Sequence, residues 1–510
     1  MNAARSHRLD ALLPGHFAGA DGQLAVTGLC ADSRQVRPGD LFFALRGARQ
    51  SGGDFVEDAL RAGAVAVASD VPAVAGLRLP VPVCVEAGLA RRLSAIAGQF
   101  YDHPSHALEV TAITGTNGKT SCCYWLAWLL AELGVAVGQI GTLGAAVRGV
   151  AGADEKGRAG ETPLAETGGL TTPPPLLLQK LLAECRAAGA SAVVLEASSH
   201  GLEQGRLAAV RVACALFTNL SQDHLDYHPD LRAYLRAKRR LFEMPGLRRA
   251  IVNLDDPASA EILAAVAPGV EQIGYSLSNA KAAMRLTRIE ENAAGYRGRL
   301  ESSWGTADLA LPVFGRYNLS NLLAVAAVAL AAGHDFAAVT ELLERVPPVP
   351  GRLECLTAAG APRVVVDFAH TSQAVSLVLQ ALRERTAGRL FAVLGCGGNR
   401  DAAKRPLMAQ AAVAHSDRQI FTADNPRDES VGAILAQMTA GLSPAERETL
   451  LCVEDRAAAI AQAVRLAGPD DTVAVLGRGA ETHQEVAGRR IPLDDRQLVR
   501  SALRGRGRSC

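Results

Sequence analysis

Eight residues, Ile113-Thr114-Gly115-Thr116-Asn117-Gly118-Lys119-Thr120, constrain this chain more than any other stretch. They follow an apolar run, Leu108 to Ile113, that reads as a buried strand. They lead into Ser121-Cys122-Cys123-Tyr124-Trp125-Leu126-Ala127-Trp128-Leu129-Leu130, long and apolar enough for a core-facing helix. A strand, a glycine-bearing turn, Lys-Thr and a helix together make a phosphate cradle. Gly115 and Gly118 let backbone N–H groups approach an anion, and the helix N-terminus adds partial positive charge. Lys119 can reach terminal phosphates and Thr120 can ligate Mg²⁺. The common form of this loop has a glycine where Ile113 stands, so this is a shortened variant. A nucleoside triphosphate belongs here.

With 510 residues the chain exceeds one core and predicts about three domains. Its 53 basic and 52 acidic residues leave a net charge of +1, so no global field recruits nucleic acid or a membrane surface. No apolar run reaches the ~18 residues of a membrane span, and no apolar leader follows Met1 to Arg8. The ten cysteines lack metal-type spacing. The expectation is a cytoplasmic protein with free thiols in its cores. Hydrophobic content of 49% against 4% aromatic predicts cores of Ala, Val and Leu.

Residues 1–106 alternate short apolar runs with turns, and Asp32-Ser33-Arg34 reads there as turn residues or as part of a site. In 107–346, strands alternate with helices, which predicts a doubly wound, mostly parallel sheet. The run Ala190 to Leu195 ends in Glu196-Ala197-Ser198-Ser199-His200, and Ala213 to Phe217 ends in Thr218 through His228. Ligands bind at such carboxyl ends. Glu196 suits Mg²⁺, while His224 is either a second ligand or a hydrogen-bonded loop histidine. The polar, Gly-rich stretch Arg148 to Gly169, with Asp154, Glu155, Lys156, Glu161 and Glu166, predicts a mobile loop. Tyr234 to Phe242 reads as a basic amphipathic helix with a solvated face, and Asn318 and Asn321 share one helical face. After the hinge Pro347 to Gly351, residues 347–510 read as a Rossmann-like α/β unit. Its strands run into Asp367-Phe368-Ala369-His370, Gly395 to Asp401, Asp424-Asn425-Pro426-Arg427 and Gly477 to Glu481, predicting a second half-site over a cleft.

These motifs, in this order and over the whole chain, resemble the Mur ligases of peptidoglycan synthesis, and within them the type that completes the UDP-N-acetylmuramoyl-tripeptide. The matching stretches are Asp32-Ser33-Arg34, Gly115 to Thr120, Leu170-Thr171-Thr172-Pro173, Glu196 to Leu202, Asn219 to Asp226, Ala237-Lys238, Asn318 to Asn321, Pro350 to Glu354, Asp367 to Thr371, Gly395 to Asp401 and Asp424 to Arg427.

The resemblance implies an ATP-dependent amide ligase of cell wall synthesis, acting as a monomer. Its substrates are ATP, UDP-MurNAc-L-Ala-D-Glu and meso-diaminopimelate, joined through an acyl phosphate. It implies that Gly115, Thr116, Asn117, Gly118, Lys119, Thr120, Ser121, Asn318, Arg352 and Asp367 bind ATP. Thr120 and Glu196 hold one Mg²⁺, and His224 with a carbamylated Lys238 holds a second. Lys119, Glu196, His224 and Lys238 are the catalytic set. Ser33 takes the uridine end, and Thr171, Thr172, Ser198, Gln204 and Arg206 the sugar-peptide. Arg400, Asp424, Asn425, Pro426, Arg427, Gly477 and Glu481 take diaminopimelate, with Arg400 and Arg427 clamping its distal carboxylate. The chain departs from the family pattern at Arg478 and Ala480, where Gly-Lys-Gly-His-Glu is usual, at Ser372-Gln373 in place of Pro-Asp, and in the insertion from Arg148 to Gly169. A lysine-adding or folylpolyglutamate-type relative, or a non-catalytic nucleotide-binding protein, are the competing expectations.

Overall fold

The apolar run before the phosphate loop becomes the strand Glu109–Thr114, fifth of eleven in the largest sheet of the computed structural model. The structure describes residues 6–47, 50–149, 160–164, 167, 169–225, 227–292, 294–448 and 450–506. Glu109–Thr114 pairs in parallel with Ala192–Glu196 on one side and Cys214–Phe217 on the other. The chain therefore leaves Thr114 toward one side of the sheet and later returns on the opposite side. That topological switch opens a crevice at the carboxyl ends of all three strands. Val137–Gly141, Arg249–Asn253 and Glu271–Ser276 extend the parallel core.

The helix Lys119–Glu132 is buried almost all round because the sheet covers one side and the helix Arg316–Ala331 covers the other. The helix Pro175–Ala187 covers the opposite face of the sheet. Both cores are dominated by Ala, Val and Leu, as the composition predicts. Two smaller parallel-type sheets flank this one in sequence. Gly28–Cys30, Asp40–Ala44, Ala66–Ser69 and Val83–Val85 form the first. The second is ordered Glu354–Leu356, Arg363–Asp367, Thr472–Leu476, Leu390–Cys396, Arg418–Ala423, Leu450–Cys452, with only the first of these antiparallel to its neighbour. The hinge is tied to the phosphate-loop helix by Trp125, whose Nε1 donates to the Pro347 carbonyl at 2.9 Å.

Three features differ from the sequence expectation. The strands Met284–Asn292, Gly295–Ser302 and Gly305–Leu311 form an antiparallel meander at the sheet edge. Met284, Leu286, Tyr296, Leu300, Leu309 and Leu311 face inward, two to a strand, while Arg285 and Thr287 reach Glu301 across the strands, so charged and polar residues dilute the apolar signal. Cys355 and Cys452 are exposed rather than in a core, because both sit on edge strands; the other described cysteines except these two are buried, and Cys510 lies outside the described residues. Arg148 belongs to the strand Gly144–Arg148, where it is buried against Gln139 and pairs with Glu161 of the short strand Glu161–Pro163. Asp154, Glu155, Lys156 and Glu166 of that stretch lie outside the described residues, as does Asp226.

Arg456 and Asp495 form a fully buried ion pair in the last sheet's core, with Arg456 Nε 2.8 Å and Nη2 2.6 Å from the two Asp495 carboxylate oxygens. Arg456 also donates to the Ala423 and Leu476 carbonyls, tying together two strand ends that flank Leu390–Cys396. Replacing Asp495 by Ala orphans that cation and should destabilise the C-terminal unit by about 3–5 kcal/mol. Calorimetry should show this as an early transition, absent from the wild type; an unchanged thermogram would contradict it.

Candidate active site

The phosphate loop is fixed by its neighbour across the switch. Thr116 N–H donates to the Asn219 carbonyl at 2.8 Å, Asn117 N–H to Asn219 Oδ1 at 2.9 Å, and Thr218 Oγ1 to the Asn117 carbonyl at 2.6 Å. Gly115 (φ +150) and Gly118 (φ +87) permit this course, since a Cβ on Gly115 would strike Thr218 Oγ1 and one on Gly118 would strike Asn321 Oδ1. No side chain caps the helix that begins at Lys119, so the first-turn N–H groups of Lys119, Thr120 and Ser121 face the crevice as an anion site.

Two lysines converge on this loop. Lys119 Nζ donates to the carbonyls of Gly115 and Thr116 at 2.8 and 2.9 Å, and Lys238 Nζ donates to the same Gly115 carbonyl at 2.7 Å. Lys238 is 1% exposed and lies 4.2 Å from the centre of the Tyr234 ring. The solvated face expected for its helix, Leu231–Arg239, is corrected here: Tyr234, Leu235 and Lys238 turn inward while Arg232 and Arg236 stay outside. Burial pushes the Lys238 amine well below its ordinary pKa, and the nearby charge of Lys119 adds to the depression. Lys119 is lowered as well, again chiefly by burial.

Glu196 ends its strand at the same crevice. Its Oε1 accepts the Thr142 N–H at 2.7 Å and its Oε2 accepts the Thr120 hydroxyl at 2.9 Å. Arg352 of the last unit donates through Nη2 to the Thr120 oxygen at 3.0 Å, with its guanidinium 4.3 Å over the Phe368 ring. Asp367 spends its carboxylate on the backbone N–H groups of Leu353 and Ala369, at 2.7 and 2.8 Å, and so braces the segment that carries Arg352. Asn321 donates to Asn318 across one helix turn at 3.0 Å, beside Gly118. His224 has a left-handed backbone (φ +56), and its Nε2 lies 3.5 Å from Asp223, which His370 faces from the other unit at 3.9 Å. Desolvation holds His224 well below its usual pKa, leaving a neutral imidazole able to donate a lone pair.

Thr171, Thr172, Ser198, Gln204 and Arg206 come together beside Glu196. Thr172 Oγ1 bridges the Glu196 carbonyl and Ser198, Thr142 reaches Thr171, and Arg206 binds both the Thr172 carbonyl and Gln204. Ser33 stands apart, on the turn Ser33–Gln35 of the first sheet, and no hydrogen bond joins it to that group among the described residues. In the last unit, Arg400 and Arg427 flank Gly397, Asn425 donates to Glu481 at 2.9 Å, and a Cβ on Gly477 (φ +111) would crowd Asp424. The Arg427 fork is already half engaged, Nε by Glu485 at 3.0 Å and Nη1 by the Gly398 carbonyl at 2.8 Å. Two of its five N–H groups are thereby taken, which leaves one on Nη1 and two on Nη2 to face a ligand carboxylate beside Arg400.

Sequence reasoning passed over Thr142 and Glu485, and named Asn219 and Arg478 only as members of a motif, with no role of their own. Thr142 follows the strand Val137–Gly141, so the same strand-end rule that selects Glu196 could have selected it. Arg478 is fully buried and donates to Asn425 Oδ1 at 3.0 Å and to the His483 and Leu493 carbonyls, which fixes Asn425 for its contact with Glu481.

Family models match along the chain in order: "Mur ligase family, catalytic domain" over residues 25–100, "Mur ligase middle domain" over 113–329, and "Mur ligase, glutamate ligase domain" over 351–479. A UDP-N-acetylmuramoyl-L-alanyl-D-glutamate–2,6-diaminopimelate ligase from Pseudomonas aeruginosa is 43% identical over 488 residues, covering 96% of this chain and 97% of that protein. The chain belongs to the Mur ligase family. A ligase of the same name from Coxiella burnetii is 39% identical over 483 residues, with 94% of this chain and 96% of its own length covered. A solved structure of a ligase of that name superposes with a TM-score of 0.66 at 32% identity, covering 99% of this chain and all of its own.

Proposed function

We infer that this family member is an ATP-dependent amide ligase that adds meso-diaminopimelate to UDP-N-acetylmuramoyl-L-alanyl-D-glutamate in peptidoglycan precursor synthesis. The observation that carries this reading is the Thr120 hydroxyl, held between Glu196 of the sheet that bears the phosphate loop and Arg352 of the last unit. A phosphate site and the unit that supplies the acceptor meet at one oxygen atom. Residues 1–106 take the uridine end through Ser33, 107–346 take the phosphates and sugar-peptide, and 347–510 take the amino acid.

The dipeptide's terminal carboxylate attacks the γ-phosphorus, the bond from that phosphorus to the β,γ-bridging oxygen breaks, and an acyl phosphate and ADP result. The acceptor amine then attacks the acyl carbon and phosphate leaves. Both partners in the first step are anions, so charge neutralisation is the main demand. Lys119 and the first-turn N–H groups answer the phosphate oxygens, and Arg352 closes on them from the hinge.

The oxygen pair Thr120 and Glu196, 2.9 Å apart, suits Mg²⁺, which keeps most of its waters and takes few protein oxygens. Bound there, Mg²⁺ supplies positive charge against the phosphates. His224 and a carbamylated Lys238 would hold a second ion. A carbamate forms when the neutral amine attacks carbon dioxide and the nitrogen sheds a proton; the burial of Lys238 beside Lys119 favours that neutral amine. The working unit is a single chain in the cytoplasm.

Phosphate release with UDP-MurNAc-dipeptide should be strong with diaminopimelate, weak with lysine and near zero without an acceptor. Equal rates with lysine would favour a lysine-adding enzyme, and no release at all a non-catalytic one. Arg427→Ala should cost diaminopimelate about 2–5 kcal/mol in kcat/KM, because an acceptor carboxylate is left unpaired in the cleft. Lysine lacks that carboxylate and should lose little, while the KM values of ATP and the UDP-dipeptide stay near wild type. Arg427→Lys should recover part only. An unchanged diaminopimelate-to-lysine ratio would assign Arg427 another role.

A further inference from the structure

The three largest fully buried side chains of the described residues are arginines, Arg405, Arg456 and Arg478, all in the last unit. Arg456 is answered by Asp495 within the core, and Arg478 fixes Asn425. Arg405 has no such part so far. It rises from the helix Lys404–His415 with its side chain 1% exposed, directly beneath the two loops that carry Arg400 and Arg427.

Its guanidinium joins those loops. Nη1 donates to Glu429 Oε2 at 2.8 Å and to Gln437 Oε1 at 2.6 Å, while Nη2 donates to Glu429 Oε1 at 2.9 Å and to the Gly397 carbonyl at 3.0 Å. Glu429 passes the constraint on, accepting the Asn399 N–H, and Asn399 Oδ1 accepts the Asp428 N–H at 3.0 Å. Gly398 N–H reaches the Asn425 carbonyl at 2.9 Å, and Arg427 Nη1 returns to the Gly398 carbonyl at 2.8 Å. Asn399 and Arg427 both hold left-handed backbones, at φ +50 and +53, a conformation that persists only where surroundings dictate it. The bond from Arg405 holds the Glu429 carboxyl well below the usual carboxylate range, so the pair stays ionised at neutral pH.

We propose that Arg405, acting through Glu429, is a positioning residue for acceptor specificity: it sets the spacing of Arg400 and Arg427 about Gly397 and so selects an amino acid whose far end bears a carboxylate. The proposal rests on the diaminopimelate reading of the site. Arg405 itself touches no acceptor, since it is buried below the loops.

The test is Arg405→Lys, with Glu429→Gln as a second variant cut from the half-buried end of the pair. Lysine keeps the charge but cannot span both Glu429 oxygens and the Gly397 carbonyl at once. With diaminopimelate, KM should rise about tenfold with kcat within about twofold, the size expected for one lost anchoring contact. The KM values of ATP and UDP-MurNAc-dipeptide should hold, and the preference over lysine should narrow. In an Arg427→Ala background, Arg405→Lys should add less than about twofold, because coupled residues are not additive. A folded Arg405→Lys or Glu429→Gln enzyme with wild-type diaminopimelate KM and preference overturns the positioning role while leaving the acceptor reading intact. A matching rise in the KM of ATP overturns it too, as the mark of general loosening. A wild-type enzyme that does not prefer diaminopimelate overturns the acceptor reading itself.

Discussion

Lys119→Ala should remove acyl-phosphate formation while leaving a folded protein. The loop loses the two bonds Lys119 makes to it but is still held from Asn219, Thr218 and Lys238, so its course survives. Taking one charge from a phosphoryl-transfer site costs at least ~100-fold in rate. The loss should run deeper here, because Lys119 and Lys238 share the Gly115 carbonyl and the charge on Lys119 helps keep Lys238 neutral. Without it, the Lys238 amine regains protons and reacts less readily with carbon dioxide. Single-turnover ADP formation, with circular dichroism as the check on folding, measures both points. Near-normal turnover in a folded Lys119→Ala protein would sink the phosphate-loop assignment.

Lys238→Ala should be inactive and partly rescued by formate or acetate, if the group lost is the anionic oxygen ligand proposed above. Lys238→Arg should stay inactive. Arginine keeps a positive charge but cannot be carbamylated, and it must fit a fully enclosed slot against the Tyr234 ring. Wild-type activity should also fall as pH drops, with a steeper fall when carbon dioxide is stripped from the buffer, because only the neutral amine is carbamylated. An active Lys238→Arg enzyme would mean that the residue contributes charge alone.

Strand ends were the legible part of this molecule. Glu196, Thr218 to His224, Asp367 and Asp424 to Arg427 all follow buried apolar runs, and the parallel topology gathers such ends at a crevice. The helix of Lys238 reads on composition as solvated because Arg236, Arg239 and Arg240 make the segment basic, and only the family resemblance points to Lys238 itself. Yet Tyr234, Lys238 and Leu241 recur at helical spacing, and that stripe is the buried one. The pairings of Arg405 with Glu429 and of Arg427 with Glu485 were out of reach, since each partner is 24 or more residues away and neither glutamate adjoins an apolar run. The antiparallel meander is hard to read for a different reason: its inward positions are apolar, but each strand carries only two large ones among charged and polar residues.

The bond from Trp125 to the Pro347 carbonyl gives the phosphate-loop helix a second occupation. Lys119 stands at the start of that helix and Trp125 six residues on, roughly 9 Å along one stiff axis. One stiff helix therefore joins the phosphate loop at its start to the hinge of the last unit at its midpoint, so the two share a single support.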